Sequence, residues 1–417
     1  MNQPLLAQNP IHPRTKEGSP LRLVRGHGAM VFDPNGDSWI DFDNARGSVL
    51  LGHGHHSVAD AVTRAARGEH GTTTGWNPSV DSVLQQLQGL CGGTVMGFFR
   101  SGTAGVRAAV CAVQQETARP FVLSAGYHGY DPMWAAPETA GTPNPSGVID
   151  FYYDLPLLET LLAQYGDSIA AVVVSVEPIY FGESWFRRLR EHATRHGVKI
   201  ILDEVKSGLR YRPGLFVGDD VLRPDVWVVS KGLANGHPLC AVGGDPKLLT
   251  SLEEMTFTSF FEPTVLAAAE ETLRLMTDGA VQRGITENGG RFLDHARDVL
   301  ARNEIPIEMV GSGALFQFVC ADEDVESEFY EAAVDEHLVF FQSDHQAPSA
   351  ALRDEALEDA CARFTRVGKR LANRFAGVSV TERSRYFAGW WEMCGLRDVP
   401  RTAAETSNWT SLLLAEA

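Results

Sequence analysis

From Val80 to Gly244 the chain alternates short apolar runs with stretches of helical period, and few folds accept such a text. The runs lie near Gly97–Phe99, Phe121–Leu123, Ala171–Val176, Ile200–Leu202, Val226–Val229 and Cys240–Val242. They are too short for helices and lack the polar alternation of a strand with one wet face, so they predict strands buried on both sides. Gly105–Glu116, Pro156–Gln164 and Ser184–His196 read as helices between them. The expectation is an α/β fold, with a mostly parallel central sheet covered by helices on both faces. Such sheets place their chemistry just beyond the carboxyl ends of the strands.

Lys231 stands two residues past the run Val226–Val229, at one such end. A lysine amine held among dry walls loses affinity for its proton and becomes a nucleophile near neutral pH. Lysines are scarce here, with only Lys16, Lys199, Lys206, Lys247 and Lys369 besides. Asp203 directly follows Ile200-Ile201-Leu202, so its carboxylate is expected to be buried and paired. An amine and a carboxylate on neighbouring strand ends suit pyridoxal phosphate, which needs an imine-forming lysine and an anion for its pyridinium nitrogen. For Lys231 the competing reading is a side chain that snorkels to solvent. For Asp203 it is a structural pairing with an arginine or backbone N–H groups.

Three further segments carry polar groups after apolar runs. Ser101-Gly102-Thr103-Ala104-Gly105 opens a helix, and its N–H groups form either a phosphate cradle or an ordinary capped terminus. Tyr127-His128-Gly129 offers a ring to stack on a planar heterocycle, or a tyrosine packed under a loop with a wet hydroxyl. Glu177-Pro178 ends the run at Val176 and is either a site carboxylate or an ion-pair partner. His53-Gly54-His55-His56 reads as a loop and helix start, not a metal site, because three histidines so close rarely converge on one ion without a distant carboxylate or cysteine.

The remaining chain is less regular. Residues to about Pro20 read as an arm, and Met30–Asp43 as a hairpin turning at Pro34-Asn35-Gly36. A helix is expected from Ser57 to Arg67, capped by Ser57 and closed by Gly68. Helices are expected at Thr264–Thr277, Gly289–Arg302 and Arg353–Phe375, a strand at Ala314–Val319, and a loose tail from Arg397. The expected domains are an arm and small-domain part at 1–75, a cofactor-binding domain at 76–280, and a C-terminal small domain with tail at 281–417. A net charge of −17 argues against nucleic acid or an anionic membrane as partner. No apolar run is long enough to span a bilayer. Six scattered cysteines without a C-x-x-C pair fit reduced, cytoplasmic thiols.

Taken in order, Ser101-Gly102-Thr103, Tyr127-His128-Gly129, Glu177-Pro178, Asp203-Glu204-Val205 and Ser230-Lys231-Gly232 resemble the class III pyridoxal-phosphate aminotransferases. Within them the chain is most similar to the glutamate-1-semialdehyde aminotransferase branch. Leu51-Gly52-His53-Gly54-His55 and Thr256-Phe257-Thr258 with Pro263 add to the likeness, which covers about residues 20 to 375. The resemblance implies fold type I, a homodimer with shared sites, and a small-molecule substrate. It implies that Lys231 carries the cofactor as an imine, Asp203 pairs with the pyridine nitrogen, and Tyr127 stacks on the ring opposite Val205. Ser101, Gly102 and Thr103 would hold the phosphate with Thr258 of the other subunit. His128 and Glu177 would complete the cofactor site.

The chain departs from that family on the substrate side. Ala104 follows Ser-Gly-Thr where an acid is usual, Arg46 and Ser48 replace an aromatic and a proline, and Lys206 replaces a neutral residue. Glu262 replaces the asparagine of a Gly-Asn-Pro triplet and follows Phe260-Phe261. With Arg46, Glu262 and Phe261 read as substrate residues, the pattern is similar to enzymes of aminoglycoside antibiotic pathways. The expected activity is transfer of an amino group to a carbonyl of an amino sugar or aminoglycoside intermediate. Epimerisation or dehydration of such a substrate, and a glutamate-1-semialdehyde 2,1-aminomutase reaction, are the alternatives. A non-enzymatic scaffold needs neither Lys231 nor Asp203, and a nicotinamide dehydrogenase lacks its G-x-G-x-x-G here.

Overall fold

The computed structural model describes residues 20–384 apart from 70, 136–142, 343 and 382–383. The expected arm and the tail from Arg397 therefore lie outside the described residues. β1 (Arg25–His27), β2 (Met30–Phe32) and β3 (Ser38–Asp41) form an antiparallel meander. The β2–β3 turn is held by Asp33, whose Oδ1 accepts from the N–H groups of Asn35 (2.9 Å) and Asp37 (3.0 Å). α1 (His56–Ala66) follows, but His55 takes the cap position and Ser57 lies inside the helix. The expectation that Ser57 caps it is therefore corrected; no side chain caps this terminus. Gly68 does close the helix, at φ +81°. α2 (Pro78–Cys91) begins at an Asn77 cap with proline in its first turn.

The alternating region then builds a seven-stranded sheet. In chain order it comprises β4 (Val95–Phe99), α3 (Gly102–Thr117), β5 (Phe121–Ala125), β6 (Val148–Asp150) and α4 (Leu155–Tyr165). β7 (Ile169–Ser175), α5 (Glu183–Arg195), β8 (Lys199–Asp203), β9 (Val226–Val229) and β10 (Cys240–Gly244) complete it. The strand order is β4-β10-β9-β8-β7-β5-β6. β6, β5, β7, β8 and β9 pair in parallel. β10 alone is reversed, antiparallel to both β9 and β4. Every residue of β7 is buried, which explains why its text is apolar from Ile169 to Val174. One face packs on α4 and α5 through Leu158, Leu162, Trp185, Phe186 and Leu189; the other packs on α3 through Val106, Ala109 and Val113. The buried positions of α5 form a single stripe, so one face is apolar and the other carries its arginines.

The C-terminal part comprises α6 (Pro263–Met276), α7 (Ala280–Arg302), β11 (Ile307–Ser312), β12 (Leu315–Cys320), α8 (Glu323–Asp335), β13 (Leu338–Val339) and α9 (Asp354–Leu371). β13 joins β3 in parallel, so the end of the chain packs on its beginning. Phe292, Phe316, Phe318, Phe329, Phe340 and Phe364 fill this second core. α7 starts well before the expected Gly289, because its first turns are polar and hold glycine. At Gly289 the glycine is required, since a Cβ would lie 2.0 Å from the carbonyl oxygen of Gly313. β6 and β11 were not expected. β6 is a three-residue edge, and β11 alternates buried with partly exposed residues. Among the described residues no helix is long and apolar enough to cross a membrane.

Candidate active site

Because β4, β5, β7, β8 and β9 share one direction, their carboxyl ends share one edge of the sheet. From that edge emerge Ser101, Tyr127, Glu177, Asp203 and Lys231 in turn. The register makes the last three neighbours: Ser175 pairs with Asp203, and Asp203 with Val228. Adjacent strands lie about 4.8 Å apart, so these groups converge on one small space.

Ser101 caps α3, its Oγ accepting from Ala104 N–H at 3.2 Å. The N–H groups of Gly102 and Thr103 have no carbonyl four residues back and point out of the helix start. Gly102 is pressed against Val205, where a Cβ would lie 2.8 Å from Cγ1. Gly129, at φ +100°, is pressed against Thr103, with a Cβ position 2.0 Å from Oγ1. Two glycines thus let three strand ends close around one helix terminus, a place suited to an anion.

Asp203 is 4% exposed, and each of its oxygens has a partner. Its Oδ2 meets His128 Nδ1 at 2.7 Å, and its Oδ1 accepts from Val205 N–H at 3.1 Å. Its neighbour Glu204 points the other way, accepting from Phe216 N–H, Val217 N–H and Ser207 Oγ. Burial outweighs these bonds and raises the Glu204 carboxyl to about 7. Tyr127 is 52% exposed, so its ring has an open face.

Lys231 is brought down to about 8, chiefly by burial and then by the positive charge of Lys206. Asp344, Glu177 and Arg46 also face it. Burial raises the Glu177 carboxyl, and its Oε2 has no hydrogen-bond partner among the described residues. Asp43 is raised to about 7 by burial and by the nearby Asp41 and Asp344. Arg46 rides on a run of left-handed backbone: Asn44 (φ 47°), Ala45 (52°), Arg46 (55°) and Gly47 (80°). The run is pinned by Asn44 Nδ2 on Ala347 O (3.1 Å) and Arg210 Nη2 on Gly47 O (2.8 Å). The Arg46 guanidinium sits 4.7 Å over the Phe341 ring.

Residues 152–367 match the model of the family described as Aminotransferase class-III. Over 328 residues, covering 77% of this chain and 83% of its counterpart, the chain is 34% identical to 2'-deamino-2'-hydroxyneamine transaminase of Streptomyces kanamyceticus. The chain belongs to the class III aminotransferases. This aminotransferase is also 26% identical to glutamate-1-semialdehyde 2,1-aminomutase 1 of Listeria welshimeri, over 82% of its own length and 84% of the other's. The fold is that of the FumI protein of Sphingopyxis sp. MTA144, with a TM-score of 0.79 and 21% identity over 91% of this chain and 95% of that one. The family's cofactor is pyridoxal phosphate. The residues of this aminotransferase fit it: a glycine-lined helix terminus, a buried oriented carboxylate, an exposed ring and a lysine of lowered proton affinity.

The structure brings Ser101, Gly102, Thr103, Tyr127, His128, Glu177, Asp203, Val205 and Lys231 of the aminotransferase to one sheet edge. Thr258, Phe261 and Glu262 sit in another segment, where Arg100 Nη2 reaches Ser259 O at 2.6 Å. Glu262 is engaged as the cap of α6, accepting from Thr264 N–H (3.1 Å), Thr264 Oγ1 (2.7 Å) and Val265 N–H (2.9 Å). Phe261 packs edge-on against Trp76 at 5.3 Å. Asp43, Asp344 and His345 were missed by the sequence reading. No local signal marks the last two, which follow a two-residue strand and reach the site only through the fold.

Proposed function

We propose that this aminotransferase moves an amino group from a common amine donor to a carbonyl of an amino sugar or aminoglycoside intermediate. The observation that carries the reading is the convergence of Lys231, Asp203 and the α3 terminus on one sheet edge. The likeness to a neamine transaminase supports the substrate class, and so do Asp43, Asp344 and Glu177, acidic groups that suit a cationic substrate. When bound, pyridoxal phosphate supplies the electron-withdrawing ring and carries nitrogen between the two half-reactions.

In this reading the protein's own groups have separate tasks. The N–H groups of Gly102 and Thr103, with the Ser101 and Thr103 hydroxyls, hold the phosphate. Asp203, oriented by His128 and by Val205 N–H, holds a proton on the ring nitrogen. Tyr127 and Val205 clamp the ring faces. Lys231 Nζ, a free amine in a useful fraction near neutral pH, takes the proton from the donor's α-carbon and returns a proton later. Glu177 lines the cofactor side, while Arg46, Phe261 and Glu262 meet substrate. The chain would work in the cytoplasm as a homodimer, with Thr258 of each subunit serving the other's site. The exposed ring of Trp76, packed on the half-buried Phe261 and through it on Phe260, favours that arrangement. The domain division at 1–75, 76–280 and 281–417 belongs to the same reading.

The test is the visible absorbance of the purified holoenzyme, with Lys231→Ala as control. Amino sugars should bleach the band and release the matching carbonyl product, and Lys231→Ala should lose both. Bleaching by amino acids alone would remove the sugar assignment. The likeness to aminomutases over most of the chain favours a second reading, in which glutamate-1-semialdehyde is isomerised with no external donor. Turnover of that compound alone would select it.

A further inference from the structure

Lys206 leaves the carboxyl end of β8 and ends among acids. Its Nζ lies 3.5 Å from Asp344 Oδ1, 3.9 Å from Glu177 Oε1 and 2.7 Å from His345 Nδ1. His345 is itself 3.7 Å from Glu177 Oε2. Burial and the neighbouring Lys206 hold the His345 ring well below its ordinary value, so the neutral ring accepts from Lys206. The Asp344 carboxyl is opposed by burial, yet the charges of Lys206 and Lys231 and the His345 backbone N–H keep it ionised far below the usual carboxylate range. The Lys206 side chain is 21% exposed and that of Glu177 4%. Three elements therefore meet here: the strand end of β7 through Glu177, that of β8 through Lys206, and the loop after β13 through Asp344 and His345.

Lys206 follows β8 and Lys231 follows β9, neighbouring strands whose pairing ends with Asp203 opposite Val228, so both side chains leave the same edge of the sheet. We propose that Lys206 is a positioning residue of the site, a pinned cation that fixes the Glu177–Asp344 wall and sets the charge that this wall presents to Lys231. The charged groups facing Lys231 are Lys206, Asp344, Glu177 and Arg46, from four different segments. Two are positive and two negative, and each moves the amine in a known direction. Lys206 acts against a proton on Lys231; Asp344 and Glu177 act for one. Because Lys206 is clamped by the very carboxylates that would otherwise favour the protonated amine, it both cancels their effect and keeps their geometry. The inference rests on the reading of Lys231 as the site's reactive amine, but its test does not require the cofactor.

Full-length, cofactor-free protein is acetylated with acetic anhydride at a series of pH values. The free amine attacks the anhydride, an N–C bond forms, and acetate and the amine proton leave. Peptide mass spectrometry then reports the Lys231 midpoint, expected at about 8. Lys206→Gln should raise that midpoint by about one pH unit. Lys206→Arg, which keeps the cation, should leave it near the parent value. Asp344→Asn should shift it in the opposite direction, downward, and remains informative if Lys206→Gln folds poorly. An unchanged midpoint in Lys206→Gln overturns the proposal, as does a shift in Lys206→Arg as large as that in Lys206→Gln, or an Asp344→Asn midpoint that rises. Borohydride reduction of the holoenzyme separates this from the functional reading. Cofactor fixed on another lysine would sink the assignment of Lys231 while leaving the charge measurement intact.

Discussion

His128 Nδ1 lies 2.7 Å from a carboxylate oxygen of Asp203, a residue 75 positions away, and both side chains are sealed from solvent. The other ring nitrogen of His128 has no partner among the described residues, so the ring's polar work is done at Asp203. His128→Phe keeps the volume and removes that one bond. A hydrogen bond to a charged group contributes about 1.5–3 kcal/mol, which predicts roughly a ten- to hundredfold loss of cofactor affinity. Absorbance titration of cofactor-free protein with pyridoxal phosphate measures it. Unchanged affinity would mean that Val205 N–H alone orients Asp203.

Gly129 illustrates how close the strand ends approach the start of α3. At φ +100°, with a Cβ position 2.0 Å from Thr103 Oγ1, an alanine there meets both backbone strain and a clash. Gly129→Ala should cost about 1–3 kcal/mol in stability, as overpacking does, and weaken cofactor binding by displacing Thr103. The clashing atoms all belong to the Thr103 side chain. Adding Thr103→Gly should therefore recover part of the stability but not the affinity. Chemical denaturation of the single and double variants checks both.

Glu204 predicts a pH dependence of folding. Its carboxyl is raised from 4.5 in the ordinary state to about 7 in the folded chain, by burial. The folded state therefore holds a proton that the unfolded chain has lost. This stabilising contribution is full below pH 4.5 and is lost as pH rises to about 7. The upper limit of the effect is roughly 3 kcal/mol. Glu204→Gln cannot titrate, and its amide would face two N–H donors, so the variant should be less stable throughout. Its stability should also fall less between pH 4.5 and about 7 than that of the parent. Denaturant midpoints across that window decide it, and parallel curves for the two proteins would remove Glu204 as the source.

How far such features were legible depends on the distance over which they are encoded. The strands and the residues at their ends were readable because strands buried on both faces, such as β7, β8 and β9, have unbroken apolar text that stops where the sheet stops. The reversal of β10 was not readable, since its residues look like those of its parallel neighbours. The His128–Asp203 bond and the Asp344–His345 approach to Lys206 join segments far apart in the chain and leave no local pattern. Arg46 stood out as unusual in its position. Yet nothing in Ala45-Arg46 announces left-handed backbone, because only the flanking Asn44 and Gly47 belong to types that visit it. Glu262 reads as a pocket acid, and its second task, capping the start of α6 with both oxygens, has no separate mark in the sequence.

The rings near Thr258 predict an oligomer. Trp76 is 63% exposed although it packs on Phe261, and Phe261 in turn meets Phe260. An exposed tryptophan continued by two half-buried phenylalanines gives a contiguous apolar surface that suits a partner. Trp76→Glu introduces a charge there without touching Lys231 or Asp203. In the proposed homodimer this variant should shift toward monomer by light scattering and lose cofactor affinity together with the dimer. A variant that stays dimeric would place the subunit interface elsewhere.

The left-handed run at 44–47 stores strain that one substitution should release. Ala45 has φ 52° and an exposed side chain, so its methyl group is tolerated rather than used. Left-handed backbone costs an ordinary residue about 1–2 kcal/mol, while glycine loses about 0.5–1 kcal/mol more conformational freedom on folding than alanine. Ala45→Gly should therefore stabilise the chain by up to about 1 kcal/mol. The backbone bonds remain: the Ala45 carbonyl still accepts from Ser48 Oγ at 2.9 Å, and Asp43 Oδ1 from Arg46 N–H at 3.0 Å. Arg46 should keep its place over Phe341, so kcat and KM should move little while the denaturation midpoint rises. A lower midpoint would mean that the pinning by Asn44 and Arg210 has already removed the strain, leaving only the entropy that glycine adds to the unfolded chain.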